Sequence, residues 1–396
     1  MQWVPLSISA GVLLWGTVLL AQYGWRHASL LAVGAALGLV LYVTSFGFTY
    51  GYRRAILVRD YSAVYAQLVM LGLATILFAV PLAQGSVFGQ PAGGATAPVS
   101  LQVVVGAFMF GLGMQLGGGC GSGTLFSVGG GNTRMLITLG AFCGGAFWAS
   151  LHMTEWARLP ATGPISLGHT LGWPAAVGLQ LGALGLIGLA VRWARRRSGH
   201  DSGRSPSSGS PGSVPDSGPP LVGATRLLRN PAFRLLLLGA VGLALLNFAT
   251  LLLAGHPWTV TWGFTLWGAK LAQLVGWDPS SNAFWTAGFQ SAAVAGPVLG
   301  DRISVMDAGI VLGALATSAV RGRFRPGLRI SARSLLAAVV GGLMLGYGSR
   351  IAYGCTIGAF FSGVASTSVH GWLWIASALP GTWLGVRLRP WFDLAN

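Results

Sequence analysis

Apolar stretches about 20 residues long, the length needed to cross a bilayer, recur from one end of this chain to the other. They lie near 4–23, 28–51, 62–82, 98–118, 134–152 and 171–193, then near 232–254, 303–320, 331–350 and 370–388. The region 257–300 is rich in Trp and Gly and is interrupted by Asp278-Pro279, so it reads as a re-entrant pair or as interfacial helices. Hydrophobic residues make up 53% of the chain and charged ones 8%, against about 25% charge in a soluble globular domain. The expected class is an all-α integral membrane protein that crosses the bilayer many times.

The net charge of +16 would suit a nucleic-acid partner if it lay on one face. Instead the arginines form short blocks between apolar stretches, which is how orientation in a membrane is encoded, and no nucleic-acid role is expected. Arg53, Arg54 and Arg59, the 321–333 loop, and Arg387 with Arg389 should share the cytoplasmic side, whereas the uncharged 84–97 loop should face outward. Both termini are then cytoplasmic. The first apolar run has no charged segment before it and no small-residue cleavage site after it, so it reads as a retained helix. Arg192, Arg195, Arg196 and Arg197 lead into a Ser/Gly/Pro run that cannot bury apolar surface. The expected organisation is a first transmembrane half at 1–193, a flexible cytoplasmic linker at 194–231 and a second transmembrane half at 232–396.

The halves carry one pattern twice. Gly119-Cys120-Gly121-Ser122-Gly123-Thr124-Leu125-Phe126-Ser127 and Gly354-Cys355-Thr356-Ile357-Gly358-Ala359-Phe360-Phe361-Ser362 both read Gly-Cys-x-x-Gly-x-x-Phe-Ser. At the same offset of 235 residues, Gly106 matches Gly341, Met109 matches Met344, Gly111 matches Gly346, Gly113 matches Gly348 and Trp148 matches Trp383. On the expected topology the helix before Cys120 runs inward and the one before Cys355 runs outward. Two pseudo-symmetric, inverted halves are therefore expected, with re-entrant glycine-rich breaks that meet at a central constriction.

Glycines at 117, 118, 119, 121 and 123 each weaken a helix by about 1 kcal/mol relative to alanine, so the backbone is expected to open there. Open backbone at membrane depth must be buried in protein or line a polar cavity. The N–H groups that follow the first break, with Ser122 and Thr124, form an anion site; Gly354 and Thr356 flank the equivalent thiol. The competing reading is that the glycines only let helices approach closely. A thiol is a weak donor and a polarisable acceptor, suited to a soft sulfur-bearing ligand more than to a hard oxyanion. Cys143 stands outside the pattern and reads as a small packing residue. No Cys/His spacing suggests a metal, and no cofactor is expected.

Arg350 lies five residues before Cys355 in apolar surroundings, where a cation costs several kcal/mol unless it has a use or a partner. It draws an anion inward, or it reaches back to the interface. Lys270 has the same two readings. His370 and Trp372 read as interfacial, and Asp278, Asp301 and Asp307 as loop or helix-end residues.

These residues resemble a family. Gly119-Cys120 with Gly123, and Arg350-Ile351-Ala352-Tyr353-Gly354-Cys355 continuing to Ser368-Val369-His370-Gly371-Trp372, are similar to the two signature motifs of the YeeE/YedE membrane proteins, the sulphur transport or thiosulfate uptake family. Gly47-Phe48-Thr49 with Arg53-Arg54, and Phe264-Thr265-Leu266-Trp267-Gly268, resemble a further pair. The resemblance implies a bacterial inner-membrane importer of thiosulfate, shaped as an hourglass, with Cys120 and Cys355 touching the substrate in turn and no enzymatic step. Some members carry a third cysteine in the early motif, which this chain lacks. A selenium or other sulfur compound stays open as substrate, as does a membrane-embedded thiol or persulfide enzyme. The basic linker is compatible with docking of a small cytosolic sulfur-carrier protein. The expected substrate contacts are Cys120, Cys355, Gly119, Gly121, Ser122, Gly123, Thr124, Gly354, Thr356 and Arg350.

Overall fold

The computed structural model describes residues 1–201, 230–327 and 330–395, with side chains of 195–201 left aside; the expected linker at 194–231 therefore falls mostly outside the described residues. Its principal elements are helices: α1 Trp3–Leu20, α2 Trp25–Thr44, α3 Phe48–Val58, α4 Ser62–Gln84, α5 Leu101–Gly117, α6 Gly121–Gly129, α7 Thr133–Ser150, α8 Trp173–Asp201, α9 Pro231–Ala254, α10 Thr261–Leu274, α11 Arg302–Val320, α12 Ala332–Ile351 and α13 Val369–Leu388. Among the described residues, eight helical stretches are long and apolar enough to cross a membrane. They correspond to all the expected spans but 134–152 and 370–388, which are helices too: α7 and α13. Region 257–300 resolves into α10 followed by short helices at Ala283–Thr286 and Gly288–Ala295.

Short polar side chains start several of these helices by satisfying an N–H that helix geometry leaves without a partner. Ser100 accepts from Val103 N at α5, Asn132 from Met135 N at α7, Asp301 from Ser304 N at α11 and Ser331 from Ser334 N at α12. The basic loops gather at one end of the bundle. Gln2 bonds the Ala319 and Phe324 carbonyls, Gly131 lies on Phe324, and Arg333 pairs with Asp393. At the other end the 84–97 loop is pinned by Gly93 N to Gly255 O and by Ala95 N to Ser366 Oγ.

Helices from before and after the linker interleave: α2 packs on α11, α4 on α9, α7 on α12, and α13 on α5. Tight seams run through glycine. A methyl on Gly106 would stand 2.6 Å from Gly348 O, and one on Gly113 would stand 2.9 Å from Gly341 O. Gly341 follows Gly106 by 235 residues and Gly348 follows Gly113 by the same number, so the contact is reciprocal: each glycine meets the counterpart of the other. The flanking seams repeat this. Gly111 abuts Ala378 O and Gly381 abuts Phe108 O, while Gly346 abuts Phe142 O and Gly145 abuts Leu343 O.

Candidate functional site

Both cysteines sit where a helix stops and a shorter one begins. After α5 the chain turns through Gly118 at φ 93°, a left-handed conformation glycine adopts without strain, and Cys120 is the extended residue before α6. After α12, Tyr353 at φ 57° and Gly354 at φ 149° make the turn, and Cys355 precedes a π-helical turn, Thr356–Phe361, that continues into Ser362–Ala365. Tyr353 is a bulky residue in a region that L residues rarely occupy, so this break holds local strain.

The breaks converge. A methyl on Gly121 would stand 3.2 Å from Cys355 Sγ and 3.4 Å from Val260 Cγ1; one on Gly123 would stand 3.4 Å from Cys120 Sγ. Both cysteines are buried, with exposures of 1% and 0%. The Cys120 thiol is 3.7 Å from Ser122 Oγ, and Cys355 Sγ accepts from Ile357 N at 3.4 Å. Thr124 spends its hydroxyl on Cys120 O at 2.8 Å, which fixes the turn. Gly119 is needed for the same turn, since a methyl there would lie 3.2 Å from Thr124 N. Thr356 Oγ1 is fully buried beside Cys355 with no partner.

A third break, Pro257–Val260 between α9 and α10, backs both thiols. Thr259 Oγ1 lies 2.6 Å from where a Gly358 methyl would be. Asn247 on α9 holds the segment: its Oδ1 accepts from Trp258 N at 2.8 Å, its Nδ2 donates to Ser362 Oγ at 3.1 Å, and Ser362 Oγ donates to Trp258 O at 2.7 Å.

The helix ends beside the cysteines leave carbonyls unpaired, a concentration of negative partial charge that would repel an anion. Arg134 donates to Leu116 O at 2.6 Å and Gly117 O at 2.7 Å, and Arg389 to Gln115 O at 2.6 Å. At the other break Gln102 donates to Ile351 O at 3.0 Å, His370 bonds Ala352 O at 3.0 Å and Trp374 donates to Gly354 O at 3.1 Å. His370 is thus buried at the second break and not interfacial, because its ring completes a helix end; its Nδ1 has no partner.

On the side of Cys355 a cavity of about 870 Å³ opens among Thr96, His256, Thr261, Arg350, Tyr353 and Gly358. Each water fills about 30 Å³, so a small hydrated anion has room. Burial lowers the His256 pKa below its ordinary value, which keeps that wall neutral at pH 7. Arg350 faces this cavity with Nε unpartnered and its guanidinium 5.3 Å from the Phe284 ring centroid. Lys270 lies elsewhere in use: Nζ donates to Val294 O at 2.5 Å and Gly296 O at 2.8 Å. On the side of Cys120, Thr49 Oγ1, Tyr52 Oη and Gln115 Oε1 are buried without partners, and Gln115 Nε2 reaches Thr49 O at 3.1 Å.

Sequence reading missed Asn247, the arginine caps and Asp307. Asp307 is fully buried in the sixth position of α11, not at a helix end; an acid inside an apolar run was the available signal.

The chain matches the Sulphur transport family over residues 43–384 and belongs to it. It is 26% identical over 370 residues to the thiosulfate transporter TsuA of Spirochaeta thermophila, covering 89% of this chain and 96% of that protein. It is 24% identical over 374 residues to the Escherichia coli protein of the same name, covering 91% and 94%. Similarity to the probable transporter YedE of Escherichia coli reaches 32% over 135 residues, which spans 34% of this chain and 33% of that relative.

Proposed function

We propose that this protein imports a small sulfur-containing anion, thiosulfate first, through the gap between Cys355 and Cys120 without forming a covalent bond. The observation that carries this reading is the placement of Gly121 against Cys355 Sγ, which sets one half-helix start beside the thiol that precedes the other. The anion gathers in the cavity, where Arg350 supplies positive charge and Thr356 a free hydroxyl. Its terminal sulfur meets Cys355, a polarisable partner, while the sulfonate oxygens are held by N–H groups at the breaks. It then passes to Cys120, with N–H groups of Gly121, Ser122 and Gly123 at the start of α6, and leaves past Thr49, Tyr52 and Gln115. In this reading Gly119, Gly354 and Thr124 shape the turns. Capping of the α5 carbonyls by Arg134 and Arg389 supports anion passage, because it offsets negative charge at that end.

The reciprocal Gly106/Gly348 and Gly113/Gly341 contacts support inverted halves related by a pseudo-two-fold axis, the arrangement in which self-complementary contacts arise. The end with the arginine loops and both termini is assigned to the cytoplasm of a bacterial inner membrane. A cytosolic sulfur carrier that collects the product fits that basic end. The test is growth and labelled uptake in cells lacking other sulfur importers, with thiosulfate, sulfite or sulfate as sole sulfur source. Thiosulfate-dependent uptake that persists with excess reductant supports the reading; uptake that requires a disulfide or a persulfide on Cys120 or Cys355 sinks it.

A further inference from the structure

Asp307 has no role in the passage described above. Its side chain is fully buried, and neither carboxylate oxygen has a hydrogen-bond partner. It occupies space that a glycine keeps open: a methyl on Gly263 of α10 would stand 2.5 Å from Asp307 Oδ2. Gly263 directly follows Thr261 and Trp262, which line the cavity, and Ile303, one turn before Asp307 on the same face of α11, lines it too. The acid therefore stands one layer behind the cavity wall. On the other side of the bundle Gly51 of α3 approaches Gln67 of α4, 3.5 Å from the amide Nε2 to the position of a Gly51 methyl. A polar side chain behind a short-helix glycine occurs at both places, and only that at 307 can ionise.

The groups around Asp307 do not compensate a charge. On its own helix, Asp301 is engaged with Ser304 and Trp262, and Arg302 donates to Ala254 O at 2.7 Å. From α2, His27 turns to Gly300 O at 3.1 Å; from α10, Lys270 is held by the Val294 and Gly296 carbonyls. From α7 and the second break, the Cys143 and Cys355 thiols lie within electrostatic reach. The α1 and α6 helices present no charged side chain to it. An unpaired carboxylate at membrane depth costs several kcal/mol, and a bound proton removes that cost. A metal cation would need a cage of several oxygens, and among the described residues no three His, Cys, Asp or Glu side chains gather to hold one.

We propose that Asp307 is the proton-binding site through which anion passage is coupled to proton movement. The carboxylate takes a proton from the cavity side, forming the O–H that lets the site stay buried while the anion passes Cys355, and releases it on the opposite side. This rests on the transporter reading, and proteoliposomes separate the two. Labelled thiosulfate exchange at equal pH tests transport; accumulation driven by an acid-outside gradient tests coupling. The wild type should do both, and Asp307→Asn should keep exchange within about threefold while losing gradient-driven accumulation. A pH dye trapped inside wild-type vesicles should report acidification when thiosulfate is added outside, which decides the matter even if the variant fails to fold. Absence of wild-type exchange would defeat the transporter reading itself. Exchange without any response to the gradient, no acidification, or an Asp307→Asn protein that accumulates like the wild type would overturn the proton site and leave the transporter standing.

Discussion

The α-carbon of Gly121 is set so close to Cys355 that an added methyl would stand 3.2 Å from the Cys355 sulfur. The two cysteine breaks thus share one contact, and hydrogen at Gly121 is what leaves room between them. Gly121 has no left-handed φ, so alanine is permitted there by the backbone and its effect must come from the space it fills. Gly121→Ala should lower thiosulfate flux about tenfold, equivalent to about 1.4 kcal/mol, and Gly121→Val should abolish it with the protein still folded. Uptake in vesicles beside thermal melting checks this; wild-type flux through Gly121→Val would remove the gap between the thiols from the path.

Removing the thiols themselves gives a second expectation. Cys120→Ala and Cys355→Ala each delete one weak donor and little volume, so stability should change by about 1 kcal/mol while transport is lost. Cys143→Ala should alter uptake less than about twofold, since that thiol packs within α7 away from either break. Equal inactivation by all three substitutions, measured on matched amounts of membrane protein, would refute the division of roles.

The parts of this site that could be read from sequence are those whose chemistry is local. Gly119 through Thr124 and Gly354 through Thr356 carry thiol, turn and N–H donors within a few residues, and their repetition points to paired breaks. What escaped depends on distance along the chain. Arg389 caps a carbonyl at Gln115, 274 residues away, and Asn247 ties Trp258 to Ser362; neither has a sequence pattern that names its target. Hydropathy also misleads where it averages. Asp307 lies in an apolar helix that dilutes its charge, and His370 resembles an interface residue because the carbonyl it meets belongs to another helix. The glycine seams show a third limit: Gly106 and Gly348 are legible as small residues, but their reciprocal meeting is a property of the assembled pair.

That pairing has its own consequence for stability. A methyl on Gly341 would overlap Gly117 N, in a seam of backbone against backbone that cannot yield as a flexible side chain does. Overpacking of this kind costs about 1–3 kcal/mol. Gly341→Ala should lower the melting temperature by several degrees and reduce the yield of folded protein. Gly140→Ala on α7, where nothing lies within 4 Å of the added carbon, should leave the melting temperature unchanged or slightly raised, because alanine favours helix. If both variants melt alike, the α5/α12 crossing is looser than its contacts imply.

Charge attraction and thiol contact can be separated by concentration. Arg350 faces the cavity, so its charge acts by raising local anion occupancy ahead of Cys355. Arg350→Gln should therefore weaken uptake mainly at low thiosulfate, and excess substrate should restore most of the flux. Cys355→Ser acts later in the path: a hydroxyl fills similar space but is a harder, less polarisable partner for a terminal sulfur. Its flux should stay low even at saturating thiosulfate. Sulfate offers only oxygens, so it should compete poorly with thiosulfate in the wild type and in both variants. Concentration series with sulfate as competitor measure all of this; normal saturating flux in Cys355→Ser, or strong inhibition by sulfate, would mean that the thiol does not recognise the sulfur, and a passage built on Cys355 and Cys120 would have to be given up.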